Sequence, residues 1–123
     1  MPITFSLSTV PPTTNHLFAT VRGRRVKSAA YKAWIDLAGW EIRARHIPLT
    51  VGPVAVEIEV ERPKTARRTD VDNRLKPTLD AIVKAGTIED DSLIERVTIG
   101  WADVQGVRVT VTALSDARQG RAA

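Results

Sequence analysis

Between residues 54 and 61 the chain alternates strictly. Val54, Val56, Ile58 and Val60 are apolar, and Ala55, Glu57, Glu59 and Glu61 stand between them. A period of two places the four branched side chains on one face of a β-strand and the glutamates on the other. Such a face must be buried against another layer, so this octet calls for partner strands and a helical or second-sheet cover. Ile3, Phe5 and Leu7 alternate with Thr4, Ser6 and Ser8 in the same manner, and Pro11-Pro12 ends that strand. Ile94 to Trp101 and Val107 to Leu114 read as two further strands. They flank Ala102-Asp103-Val104-Gln105-Gly106 and are expected to form an antiparallel hairpin. Leu17 to Val21 and Val26 read as short extended pieces around the charged turn Arg22-Gly23-Arg24-Arg25.

Helical spacing appears twice. Tyr31, Trp34, Ile35, Ala38 and Ile42 recur at helical intervals after Ser28, a good N-cap residue, and Pro48 lies beyond the expected end near Arg45. A second helix is expected to start near Asp72 or Asn73 and to run to Ala85, burying Leu75, Leu79, Ile82 and Val83, with Gly86 as its stop. Pro77 belongs in the first turn of that helix, because deeper in it would cost a backbone hydrogen bond. The expectation is an α+β domain with a mixed sheet of roughly four strands and two helices. It spans residues 1–114, and residues 115–123 form a polar, frayed tail.

At 123 residues the chain suits one domain. It contains no cysteine, which excludes disulfides and thiolate metal sites and is compatible with a reducing cytoplasm, the expected location. The first residues lack a basic stretch followed by a long apolar run, and no segment approaches the length of a membrane span, so neither a signal peptide nor a membrane partner is expected.

Charge is distributed unevenly. Lys and Arg total 18 against 14 Asp and Glu, giving a formal net charge of +4, which favours a polyanionic partner such as nucleic acid. Yet seven of the 14 acids fall between residues 70 and 95. Clustered carboxylates repel one another, and a hard cation such as Mg²⁺, which takes oxygen ligands together with water and substrate phosphate, relieves that repulsion. Asp70 and Asp72 are two apart, so in extended backbone both carboxylates could reach one ion. Alternatively, Asp72 or Asn73 caps the helix and Asp70 is simply solvated. Asp90-Asp91 falls in a turn after the second helix, where acids also serve solubility, and at most one of the two is expected to face a shared site. Lys76 follows Asp72 by one helical turn and precedes Asp80 by another. It is either a surface ion-pair partner or a cation that stabilises phosphate charge. A basic chain with an acidic metal pocket reads as a nuclease.

Arg22, Arg24, Arg25 and Lys27 form one basic cluster, and Arg62, Lys64, Arg67 and Arg68 form another. They are either solvated loop charge or clamps on a phosphate backbone. Trp34, Trp40 and Trp101 read as core residues. His16 and His46 are isolated and receive no role.

The run Asp70-Val71-Asp72-Asn73-Arg74-Leu75-Lys76, followed by Leu79-Asp80-Ala81, Lys84-Ala85-Gly86 and Ile88-Glu89-Asp90-Asp91, resembles the RusA family of Holliday junction resolvases. Pro11-Pro12-Thr13-Thr14-Asn15 is similar to that family's N-terminal Pro-Pro-x-x-Asn element, and the resemblance covers about residues 3 to 114. It implies a small α+β homodimer, often encoded by prophages, that resolves four-way DNA junctions with Mg²⁺ in recombination and repair. Matched residue by residue, the family's metal-binding aspartates fall on Asp70, Asp72 and Asp91, and its catalytic lysine on Lys76. Asn73 takes only a positioning or capping role. The chain has Thr69 where some relatives place a further arginine, so phosphate gripping at that point falls to Arg67 and Arg68. The expected activity is a Mg²⁺-dependent crossover junction endodeoxyribonuclease making paired symmetric nicks. DNA would be gripped by Arg22, Arg24, Arg25, Lys27, Arg67 and Arg68. The alternatives are a non-catalytic junction-binding module and a less selective flap or hybrid nuclease.

Overall fold

The computed structural model describes residues 2–13, 16–64 and 70–114. Arg67, Arg68 and the tail expected at residues 115–123 lie outside them. The elements run β1 (Ile3–Leu7), β2 (Phe18–Val21), β3 (Arg24–Lys27), α1 (Ala29–Ala44), β4 (Val54–Glu61), α2 (Leu75–Lys84), β5 (Ile94–Ala102) and β6 (Val107–Ala113). Four strands form one mixed sheet in the order β1-β6-β4-β5. The alternation at residues 54–61 has the expected consequence. Val54, Val56, Ile58 and Val60 are buried in a single core with Tyr31, Ile35 and Ile42 of α1 and Ala81 and Ile82 of α2. The opposite face of the sheet carries polar pairs. The carboxylate of Glu59 takes two 2.8 Å hydrogen bonds from Arg108, and the hydroxyls of Thr4 and Thr110 meet at 3.1 Å. One buried and one wetted face is what an alternating strand requires.

The hairpin expected from the last two strands does not form. β4 lies between β5 and β6, parallel to the first and antiparallel to the second. Parallel neighbours need a crossover, and the segment from Glu61 to Ile94, with α2 inside it, provides one. The short link Asp103 to Gly106 then steps across the end of β4 instead of closing a two-stranded turn. It is pinned there by three hydrogen bonds. The Glu61 N–H donates to the Gly106 carbonyl at 2.8 Å, the Arg62 N–H to the Ala102 carbonyl at 3.1 Å, and the Gly106 N–H to Glu61 Oε1 at 2.8 Å. Gly106 has φ +67, and a Cβ there would come within 2.0 Å of the Leu7 carbonyl oxygen, so only glycine fits. A short linker between two β-patterned runs resembles a hairpin in sequence, but here β4, whose apolar face is in the core, lies between the two runs.

β2 and β3 form a separate two-stranded ribbon with Arg22-Gly23 as its turn. Both turn residues have positive φ, 52° and 75°, which suits the right-handed twist of a two-residue hairpin. Such a ribbon is marginal alone, and here the Ser28 N–H ties its end to the Leu17 carbonyl at 2.8 Å.

α1 starts as expected. Ser28 accepts the Tyr31 N–H at 3.1 Å. Its end uses His46, at φ 54, where glycine is usual. The His46 N–H reaches the Arg43 carbonyl at 3.1 Å and the Ile47 N–H the Ile42 carbonyl at 3.3 Å, so His46 serves as a helix stop. His16 also has a local part, with Nδ1 2.7 Å from the Thr13 hydroxyl. Gly86, at φ +84, ends α2 through the same pair of bonds, Gly86 N–H to Val83 and Thr87 N–H to Ile82.

The tryptophans divide. Trp34 is in the core, donating Nε1–H to the Thr9 carbonyl at 3.1 Å, and Trp101 packs at its edge. Trp40, expected in the core, is 65% exposed. Six residues along a helix turn the side chain by about 120° from Trp34, which takes it off the buried stripe.

Candidate active site

The motif segment enters α2 through a single 3-10 turn, Val71–Arg74. Asp70 is extended, with φ −84 and ψ 129, and its carbonyl accepts the Asn73 N–H at 3.1 Å. Asp72 lies inside the turn, so the two aspartates do not share one extended segment as their spacing suggested. The expected capping by Asp72 or Asn73 is also absent. α2 begins at Leu75 behind Arg74, which makes no side-chain cap, because the tight turn has already taken up the entry to the helix. Pro77 occupies the first turn of α2, as expected, and the Thr78 hydroxyl donates to the Arg74 carbonyl at 2.8 Å.

Arg74 was not singled out from the sequence. Its guanidinium donates to the carbonyl of Pro11 and so fastens the N-terminal Pro-Pro element to the motif segment. Burial pushes this guanidinium below its ordinary value. The only sequence sign was that Arg74 sits inside the motif while Pro11 belongs to the other matching element.

The fold divides the acids between residues 70 and 95 into two groups. Glu89 Oε1 accepts the Gly52 N–H at 2.7 Å, anchoring the turn before β5. Asp90 caps the next 3-10 turn, Asp91–Leu93, accepting the Ser92 N–H at 3.1 Å and the Ser92 hydroxyl. Those bonds, the hydroxyl first, hold its carboxyl below the ordinary aspartate value. Asp80 accepts the Tyr31 hydroxyl and pairs with Lys76 Nζ at 3.4 Å. Glu95 also has a partner. Asp70, Asp72 and Asp91 are all exposed, and among the described residues no hydrogen bond or ion pair engages their carboxylates.

These three are not gathered into a cage. Among the described residues, no three His, Cys, Asp or Glu side chains stand close enough together to hold a metal ion. The crossover nonetheless associates their segments, since the turn Val71–Arg74 packs against β5 and the turn Asp91–Leu93 against α2. Their donor chemistry fits a hard cation: free carboxylate oxygens, uncommitted to the fold. Mg²⁺ is usually held by one or two carboxylates, water and substrate phosphate, so a preformed set of three is not required.

Arg22, Arg24, Arg25 and Lys27 are all exposed on the β2–β3 ribbon. They do not form one uniform patch. The Arg25 guanidinium lies 4.1 Å over the Phe18 ring and Lys27 Nζ 5.6 Å over the Tyr31 ring, whereas Arg24 and Val26 alternate with them on the other face.

A basic α+β domain with a lysine and uncommitted carboxylates at one crossover has the side-chain set of a metal-assisted phosphodiester hydrolase. Residues 9–112 match the family described as Endodeoxyribonuclease RusA. Several relatives bear the name crossover junction endodeoxyribonuclease RusA, and three of them illustrate the match. One from Escherichia coli is 35% identical over 110 residues, covering 86% of this chain and 91% of the relative. Those from Enterobacteria phage 82 and Shigella sonnei are each 34% identical over 104 residues, covering 83% and 86%. The chain belongs to the RusA family of endodeoxyribonucleases. Among the described residues no helix is long and apolar enough to cross a membrane.

Proposed function

We propose that this protein resolves four-way DNA junctions in the cytoplasm, cutting two strands symmetrically as a two-fold dimer with Mg²⁺ at each site. The observation that carries the reading is the sorting of the acids. The fold employs Asp80, Glu89 and Asp90 in its own hydrogen bonds and leaves Asp70, Asp72 and Asp91, the three on the family's aspartate positions, uncommitted. In this reading those three hold the metal and the domain ends near residue 114. Bound there, Mg²⁺ would supply an activated water and neutralise charge on the scissile phosphate. Lys76 places an ammonium where it can offset charge on the phosphate oxygens. The ribbon arginines and Lys27, with Arg67 and Arg68, grip the backbone of the junction arms. A four-way junction has two-fold symmetry, and one chain carries one such site, so paired cuts call for two copies about a two-fold axis.

The test is cleavage of a synthetic four-way junction, mapped on all four strands, with Mg²⁺ and with EDTA. Paired nicks at symmetry-related positions, present only with the metal, are expected. Binding without cutting would leave a junction-binding module, and equal cutting of flap or RNA–DNA hybrid would leave a less selective nuclease.

The basic ribbon makes a second expectation. If about six phosphates are neutralised, log affinity should fall against log salt with a slope near −5. Replacing Arg22, Arg24 or Arg25 by Ala should flatten that slope by roughly one unit per lost contact, whatever the DNA sequence. A salt titration of junction binding checks it, and a slope unchanged by these substitutions would remove the ribbon from the DNA contact surface.

A further inference from the structure

We infer that Tyr31 and Asp80 are positioning residues for Lys76, holding its ammonium in the place from which it acts on the phosphate. This rests on the role proposed for Lys76 above. Lys76 and Asp80 are one turn apart on α2, with Nζ 3.4 Å from Asp80 Oδ2. Alone, such a pair would fix little. Their side chains are 55% and 34% exposed, and an exposed pair of this spacing contributes only a few tenths of a kcal/mol.

The carboxylate, however, is tied at its other side. The Tyr31 hydroxyl donates to the same Oδ2. Tyr31 itself is fully buried. Its backbone is fixed at the start of α1 by Ser28, and its ring meets Phe18 edge-on, at 6.0 Å and 75°. Burial, then the bond to Asp80, pushes the phenol far above its ordinary value, so it remains a donor throughout the working pH range. A core residue therefore orients a surface carboxylate, and that carboxylate orients a lysine. An ammonium has three donors, and an ion pair at 3.4 Å leaves donors to face a phosphate.

A plainer role exists for Asp80, namely satisfying a buried tyrosine hydroxyl. The two roles differ in a double-mutant cycle. Single-turnover cleavage of a four-way junction, junction Kd and thermal stability would be measured for wild type, Asp80→Asn, Tyr31→Phe, Lys76→Ala and the Asp80→Asn/Lys76→Ala pair. Misplacing a reacting group by about 1 Å costs up to about a hundredfold in rate. We therefore expect Asp80→Asn to slow cleavage by about tenfold and Tyr31→Phe by a few-fold, with Kd changed less than about twofold. In the Lys76→Ala background Asp80→Asn should have no further effect, because there is no lysine left to aim.

An equal loss in both backgrounds, or a wild-type rate for Asp80→Asn, would overturn the inference and leave Asp80 as a partner for Tyr31 alone. Should Asp80→Asn fail to fold, Tyr31→Phe, which keeps the ring in the core, carries the same comparison in both backgrounds. A wild-type rate for Lys76→Ala would overturn the inference differently, by removing the role of Lys76 itself.

Discussion

Replacing Asp72 by Asn is expected to abolish junction cleavage while leaving binding intact or slightly tighter. The substitution keeps the shape of the side chain and removes one anionic oxygen. Asp72 is exposed, and its carboxylate engages nothing among the described residues, so stability should change by no more than about 0.5 kcal/mol. On the function proposed above, what is lost is a charged ligand for a hard cation, and the Lewis-acid contribution of such an ion is several kcal/mol. A loss of about 4 kcal/mol corresponds to roughly a thousandfold in rate. On the same reading DNA affinity should move the other way, because a negative charge near the phosphates has gone. Single-turnover cleavage beside a gel-shift titration separates the two effects. A near-wild-type rate would show that Asp72 is not a ligand.

Lys76→Ala should also act on turnover far more than on binding. A single charged contact that strengthens as charge develops is worth on the order of 3 kcal/mol, or about a hundredfold in rate. The ion pair it breaks is largely exposed, so little stability is lost with it. The measurement is the ratio of the two losses. Equal falls in affinity and rate would make Lys76 an ordinary phosphate anchor, comparable to the ribbon arginines.

Much of the architecture was legible in the chain because it is written locally. The alternation at residues 54–61, the Ser28 cap, the placement of Pro77 in a first turn and the Gly86 stop each depend on neighbours within a few positions, and each appears in the structure. The acidic segment drew attention for a different reason. Acids crowded between residues 70 and 95 of a basic chain are costly in electrostatic terms and therefore call for an explanation. Where the reading of the residues stopped short was in telling which acids the fold consumes. Glu89 is occupied by Gly52, 37 residues away, and Asp80 by Tyr31, 49 residues away. No local spacing reveals either partnership.

The same division explains the misread hairpin. Strand identity follows from side-chain period, which each segment carries in itself; strand order depends on pairing between segments distant in sequence. The sequence by itself determined most of the elements and the apolar faces of α1 and β4, since these rest on residue type and short-range spacing, while the choice of Asp70, Asp72, Lys76 and Asp91 as candidates rests on the resemblance to the RusA family. Only the tertiary structure decided that β4 separates β5 from β6, that the basic ribbon forms a sheet of its own, and that Asp80 meets both Lys76 and the Tyr31 hydroxyl of α1. Those outcomes are settled by contacts between segments distant in sequence, whose energies come from burying shared surface and satisfying polar groups in the assembled fold.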